Sequence, residues 1–580
     1  MKINLTKSLK TKKLLQCMPE FTVQSVGGCL LILISPFAQA IDFNPSSVEA
    51  GVIGRSISSS PTPLVPGTSP TFTPQIAEPP PISGEASKIS FVLKKIVIDG
   101  NHAFDTVELE AIFAPYINKK ITVAQLQKLV QDVTDKYQKA GYFLSKAFLP
   151  PQEIHNGTVK VTVIEGFISS IKVQGTDKKR VIHFIEQYGA NIQASRPIKL
   201  AHLERTLLLM NDVPGFTVKS VLAPDPAVPL GSTLTLLVEQ KVVEATFTQD
   251  NYQTRYLGPE ESSLFGSLNS AFIPGGTLFG RVLTANEHRK LQYYELKYNQ
   301  TIGTNGWVLS VDGYTTQTHP QFILTPLELY GTSNNGNVTL SYPLIRSRKQ
   351  NLSILGQFEY MDNTSTALGQ LLYKDPIRDA LVSAIYSDTV WKGDDTLSIA
   401  FDKGLNIFNA NIPDNRSRLG ASNNFLRIIG TASREQMIGS RFSLFALVTA
   451  QYANAVLPAA ETITFGGPYI GRGYDWAQFT GDNGVAGKVE LRVNTAPNLA
   501  FLKQVQYYTF YDAGEIRSLI PGVLPTSGAS AGFGARAMII KHLNAEGFIG
   551  RPLTAPNATQ VILGNSGHAF LGYFQISAYL

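Results

Sequence analysis

Arg472 stands between two glycines in the segment Phe465-Gly466-Gly467-Pro468-Tyr469-Ile470-Gly471-Arg472-Gly473-Tyr474. A guanidinium in an apolar, aromatic loop is costly to bury without an anion, because low dielectric penalises the charged form. Further along, Tyr507-Tyr508-Thr509-Phe510-Tyr511-Asp512-Ala513-Gly514 reads as a strand with one acid, Asp512. An arginine fork closing on one carboxylate away from water keeps both groups charged. Removing one member of such a pair costs about 3–5 kcal/mol, enough to decide how a loop is held. The alternative is two unrelated surface charges. The chemistry predicted for Arg472 and Asp512 is an ion pair that fixes a loop.

Bond-making chemistry is poorly supported elsewhere. Gly528-Ala529-Ser530-Ala531-Gly532 matches the G-x-S-x-G pattern, but a nucleophile elbow needs a helix directly after it, and Phe533 to Ile540 reads as strand. Gly481 to Lys488 imitates a phosphate loop with the glycine spacing one residue too long, and Val489 stands where Ser or Thr would bind magnesium. The 8 histidines include no pair at metal-ligand spacing, so no metal and no cofactor is expected. Glu295, Glu359 and Glu490 could be read as catalytic carboxylates, but inward positions of a wide barrel are wet, and pore lining is the expectation.

Composition narrows the class. The chain is 10% aromatic and only 16% charged, richer in Tyr, Phe and Gly and poorer in charge than an ordinary cytosolic enzyme. Lys2, Lys7, Lys10, Lys12 and Lys13, the apolar run Cys29 to Ile34, and Ala38-Gln39-Ala40 have the order of a secretory signal over residues 1–40, cleaved after Ala40. Both cysteines, Cys17 and Cys29, lie in it, which leaves the mature chain without thiol or disulfide. The segment holds five of the 50 basic residues and one of the 44 acidic ones, Glu20, so the mature chain carries 45 against 43, a net +2. No case for nucleic acid survives that balance. No later stretch approaches about 18 apolar residues in a row, which argues against a helical membrane span.

The elements that position Arg472 follow in order. Residues 41–57 form a short amphipathic piece. Residues 58–87 are a spacer in which Pro61, Pro63, Pro66, Pro70, Pro74, Pro79, Pro80 and Pro81 keep the chain extended; it is expected to link without folding and to reach on the order of 80 Å. Two similar α+β modules are expected at 88–166 and 167–241. In the first, Phe91 to Ile98 reads as one strand, Thr122 to Lys139 as a helix with Thr122 as N-cap, and Val159 to Val163 as a closing strand. The second repeats this with Ile168 to Val173, helices near Lys178 to Gln187 and Leu200 to Met210, and strands Thr217 to Leu222 and Thr233 to Val238. Exposed sheet edges are expected on both.

From residue 242 helical periodicity vanishes. Tyr294, Leu296 and Tyr298 alternate with Glu295, Lys297 and Asn299; Trp307, Leu309 and Val311 follow the turn dipeptide Asn305-Gly306; the chain ends on Phe574, Ile576, Ala578 and Leu580. A soluble sandwich would alternate too. The number of strands in one unbroken run, the tyrosine load and the signal favour a membrane barrel, since a sheet in lipid must close on itself. At roughly 20 residues per strand with its connection, residues 242–580 give about 16 strands, with a lumen wide enough for water or a chain.

Gly141-Tyr142, Leu149-Pro150-Pro151-Gln152, Gly157, Glu165-Gly166 and Asn211-Asp212-Val213-Pro214-Gly215 resemble the paired polypeptide-transport-associated (POTRA) domains of two-partner secretion transporters, the ShlB/FhaC/HecB family. Asp250-Asn251-Tyr252, Gly466-Gly467, Arg472-Gly473-Tyr474, Gly481-Asp482 with Gly484, and Phe510 to Gly514 resemble that family's barrel, in the same order. The resemblance implies a 16-stranded transmembrane antiparallel β-barrel in the bacterial outer membrane, in contact with its lipid and lipopolysaccharide, and two N-terminal periplasmic α+β POTRA domains. It implies a monomer that exports one large secreted partner protein without ATP, a plug helix at 41–57, and a loop whose Arg472 meets Asp512 inside the lumen. Barrel assembly factors and passive porins are the alternatives, with a surface hydrolase further off. Two departures stand out: Gly471 where the family has valine, and Leu580 where an aromatic terminus is usual.

Overall fold

The computed structural model describes residues 45–59, 72–74, 89–229, 231–410, 415–497, 499 and 502–580. The expected signal, the first residues of the expected plug and most of the expected linker lie outside them.

Helix α1 (Ala50–Ser59) follows a 3-10 turn at Pro45–Val48 and runs two residues past the expected end at Ile57. The Pro-rich stretch after it corrects an expectation: its strand β1 (Phe72–Pro74) pairs in parallel with β8 (Phe216–Pro224). A segment expected only to link therefore adds a strand to a sheet. Backbone groups of an edge strand are free to pair with any extended segment, and proline at the end of so short a strand removes little.

The first α+β unit holds β2 (Ser90–Leu93), β3 (Lys95–Asp99), α2 (Thr106–Glu110), β4 (Lys119–Thr122), α3 (Val123–Lys139), β5 (Lys146–Phe148) and β6 (Thr158–Ile164). The run expected as one strand from Phe91 to Ile98 is two. The backbone N–H groups of Lys94 and Lys95 both donate to the Gly157 carbonyl, at 2.8 and 3.2 Å, and the chain changes partner there, β2 pairing with β4 and β3 with β6. Thr122 caps α3 in a full capping box with Gln125. Leu126, Leu129, Val130, Val133 and Tyr137 form the helix face that fills the core against Ile96, Val159 and Val161. The second unit holds β7 (Phe167–Gln174), α4 (Lys179–Ala194), α5 (Leu200–Asn211), β8 and β9 (Gly231–Gln240), in the sheet order β1-β8-β9-β7. Its first helix runs on to Ala194, about two turns beyond the expected Gln187.

Sixteen antiparallel strands then close into a barrel, from β10 (Val243–Asp250) to a last strand at Leu571–Tyr579. The seam joins Thr246–Asp250 to Gln575–Tyr579 over five residue pairs. Period-two alternation sets the faces: Phe247, Leu264, Leu296, Val311, Val382 and Phe533 are exposed on the outside, while Tyr293, Asp379, Glu490 and Asp512 are buried inward. Among the described residues no helix is long and apolar enough to cross a membrane.

The second unit docks on one rim. Arg346, at the end of a barrel strand, donates to both oxygens of Asp212 at 2.7 and 2.6 Å, and Arg205 donates to the Pro343 carbonyl at 2.7 Å. This is the near rim; the opposite one is the far rim.

Candidate functional site

The barrel strand Phe442–Ala453 ends at the far rim, and the chain does not return at once to the wall. It folds into the lumen, where two short strands, Ile463–Phe465 and Phe479–Gly481, pair with each other and present the turn that carries Arg472. Gly471 has φ +79°, and a Cβ there would lie 2.8 Å from the Gly466 nitrogen. This turn has room only for glycine, which gives the departure from the family's valine a local reason.

The turn delivers Arg472 with 2% of its surface exposed. Its Nε donates to Asp512 Oδ2 at 2.9 Å and its Nη2 to Oδ1 at 2.7 Å. The backbone N–H groups of Gly471 and Arg472 also donate to Oδ2, at 3.0 and 2.9 Å. One carboxylate thus fixes both the side chain and the turn. The guanidinium carbon lies 3.6 Å from the centroid of the Phe510 ring, a cation–π stack.

Asp512 is not the only anion. Arg472 Nη1 donates to Glu490 Oε1 at 2.6 Å, and Glu490 Oε2 accepts from Arg492 at 2.7 Å and Arg536 at 3.2 Å. Glu490, expected as wet pore lining, is fully buried at the centre of three guanidiniums. The lumen is filled here, so an inward carboxylate meets cations before water. Gly473 abuts the Arg551–Pro552 backbone, and Gly514 lies under the Phe465 ring. Tyr474 is buried, its hydroxyl donating to the Ala529 carbonyl at 2.8 Å and accepting from the Ala529 N–H at 3.0 Å. Ser530 of the hydrolase-like pattern sits inside the strand Thr526–Ile540, so no helix follows it.

Helix α1 lies in the same lumen. Val52, Ile53 and Ile57 share one apolar cluster with Leu283, Tyr293 and Tyr314 of the wall and with Ala459, Ala460 and Trp476 of the inward loop. Arg55, the only cation in residues 41–57, donates to Glu359 at 2.7 Å and also to Glu461. Arg281 donates to the Ile57 carbonyl at 2.6 Å, where the helix dipole favours a cation. Glu359 therefore binds α1 and does not line open water. Glu295 is held by Tyr293, whose hydroxyl donates to it at 3.0 Å. Sequence reading did not identify Arg55 or Glu461; a lone arginine in the amphipathic piece was the available signal for the first, and nothing in Pro458-Ala459-Ala460-Glu461 marks the second.

The POTRA motif residues turn out to hold the units together internally. Gly141 takes a positive φ at the end of α3, and Tyr142 stacks edge-on against Tyr137 and Phe104. Gln152 pairs with both backbone groups of Lys160, beside the partly exposed Pro150 and the exposed Pro151. Asn211 does the same with Val218, and the Val213-Pro214-Gly215 turn leads into β8. Glu165 accepts from the N–H groups of His102 and Ala103 and from the Tyr137 hydroxyl, all at 2.7 Å. Burial, and then that hydrogen bond, push the Tyr137 hydroxyl above its ordinary range.

Comparison with known proteins agrees with this architecture. The ShlB-type POTRA domain model matches residues 91–166, and the model of the haemolysin secretion/activation protein ShlB/FhaC/HecB matches residues 239–536, just over half of the chain. The heme/hemopexin transporter protein HuxB of Haemophilus influenzae (strain 86-028NP) is 25% identical over 301 residues, 50% of this chain and 52% of HuxB. The chain thus spans about half the length of that curated relative. Outer membrane transporter CdiB of Dickeya dadantii (strain 3937) is 22% identical over 440 residues, 73% of this chain and 76% of CdiB. The structure of CdiB from Escherichia coli superposes with a TM-score of 0.71 at 17% identity, covering 97% of this chain and all of that one, a likeness in fold. The barrel with its inward arginine turn and the α+β units before it belong together: this chain is a member of the ShlB/FhaC/HecB family of haemolysin secretion/activation proteins.

Proposed function

We propose that this chain is an outer-membrane pore that recognises one large secreted partner protein through its periplasmic α+β units and passes it, unfolded, through the barrel. The observation that carries the reading is α1 inside the lumen. A pore stoppered by a segment of its own chain, held by Arg55 and one apolar face, is built to open and close, whereas a passive porin needs no stopper.

Residues 1–40 act as the secretory signal, 88–166 and 167–241 as two POTRA domains, and 242–580 as the barrel. The protein works as a monomer in contact with outer-membrane lipid and lipopolysaccharide. It performs no bond-making chemistry and uses no cofactor. An extended client adds a strand to a sheet edge of a POTRA domain, where backbone hydrogen bonds give affinity and alternate side chains give selectivity. At β8 that edge already carries β1, so a client arriving there displaces the stretch that leads back to α1. No nucleotide-binding motif is present, and folding of the client outside the cell draws it forward. The ion pair of Arg472 with Asp512 holds the inward loop against the wall while the chain passes.

Deletion of this gene separates the readings by what is lost. We expect one large protein to vanish from the culture medium with outer-membrane barrels and solute uptake unchanged. Depletion of many outer-membrane barrels would instead assign an assembly factor, and a change confined to solute uptake would assign a porin.

A further inference from the structure

Four carboxylates meet beside the plug. Glu359, Asp379 and Glu461 each place a carboxylate oxygen within 4.8 Å of the other two. Asp402 joins them through Arg427, which donates to Asp402 Oδ2 at 2.5 Å and pairs with Glu461 Oε2 at 2.5 Å. All four acids are at least nine-tenths buried, with 3%, 1%, 0% and 0% of Glu359, Asp379, Glu461 and Asp402 exposed. Against these four stand two guanidiniums, Arg427 and Arg55 of α1. The nest is short of two positive charges. Two of its oxygens, Asp379 Oδ2 and Asp402 Oδ1, are buried without any hydrogen-bond donor. A carboxylate oxygen shut away from both water and donors is costly, and a bound cation or a proton relieves it.

From this geometry we infer that the nest is a site for a hard divalent cation of the calcium type, exclusive with the plug's Arg55. The ligand atoms are all carboxylate oxygens on different strands and on the inward loop, the donor set that hard cations take in flexible, high-coordination sites. Arg55 occupies Glu359 and Glu461 while α1 is in place. Withdrawal of α1 leaves four carboxylates facing Arg427 alone, and the divalent ion takes over the vacated oxygens. A ligand that binds one of two states shifts the population toward that state, so calcium favours the unplugged pore. The three mutually close carboxylates lie at 359, 379 and 461, with Asp402 beside them across Arg427, too scattered along the chain to form a motif, which is why no metal site is expected from the sequence. The inference rests on the reading of α1 as a plug that leaves the lumen, and the experiment below keeps the two apart.

The test uses the full chain in detergent and in planar bilayers, with heat-modifiable gel mobility selecting folded barrels. Calorimetric titration with calcium is expected to show one saturable site per chain in Arg55→Ala, weaker by on the order of ten-fold or more in the wild type, where Arg55 competes, and by a similar factor in Arg55→Ala/Asp379→Asn, which has one ligand charge fewer. Absence of saturable binding in Arg55→Ala, or equal binding in the double variant, overturns the site. In bilayers, calcium is expected to raise the open fraction of wild type, with sodium chloride at matched ionic strength ineffective, and Asp379→Asn is expected to lose the response. An identical response in Asp379→Asn, or one reproduced by sodium, overturns it as well. Calcium bound by Arg55→Ala with no gain in conductance supports the site and counts against the plug; gained conductance without bound calcium does the reverse.

Discussion

Arg472 illustrates how much one buried cation can organise. Three of its side-chain N–H groups donate to Asp512 and Glu490, its guanidinium stacks over the Phe510 ring, and Asp512 in turn collects two backbone N–H groups of the turn. Breaking such a buried pair from one side costs about 3–5 kcal/mol, because the remaining partner stays buried and charged. Arg472→Ala is therefore expected to lower export of the client more than ten-fold at unchanged barrel levels, read as secreted protein per outer-membrane barrel. A normal rate would remove the pair from the mechanism. Arg472→Lys should fail to restore export, since an ammonium is a point charge that cannot span both Asp512 oxygens and Glu490 at once.

At the scale of elements, α1 fits its place by what it lacks. A Cβ at Gly54 would meet Thr316 Oγ1 at 2.4 Å and Tyr314 at 2.8 Å, so the helix lies flat on the wall only because it presents hydrogen there. Gly54→Val should push the helix off the wall and raise the basal open fraction in planar bilayers several-fold, with the barrel still heat-modifiable on gels. Channels as quiet as wild type would mean that α1 is held by something other than this contact. The same element shows what alternation alone does not reveal: Glu359 reads as an ordinary inward acid of a wet barrel, and becomes a partner of Arg55 only because α1 is brought across the lumen.

For the whole molecule, the joint between the second α+β unit and the barrel rests on charged pairs at the near rim. Arg346 with Asp212 and Arg348 with Glu204 are partly exposed, and such pairs are worth about 0.2–1 kcal/mol each. Asp212→Arg sets two arginines against each other and should speed proteolytic release of the α+β units several-fold while leaving heat-modifiability of the barrel unchanged. Loss of heat-modifiability in that variant would mean that the joint supports the barrel itself.

Local rules acting over a few residues were legible in the sequence. Period-two alternation gave the barrel and its faces, Thr122 gave the start of a helix, and a cation between glycines in an aromatic loop pointed to an anion and to Asp512 as the single acid of the segment Tyr507 to Gly514; the strand itself runs on to Arg517 and includes Glu515. The two-strand break at Lys94 was not legible, because a change of pairing partner leaves no mark on hydrophobic periodicity. Neither were the contacts of Arg55, which lie 304 residues away at Glu359 and 406 away at Glu461. Barrel closure and the return of a helix into its lumen decide which inward acids face water and which face cations. Burial and charge pairing depend on distance in space, and the linear order of residues specifies that distance only after the chain has closed on itself.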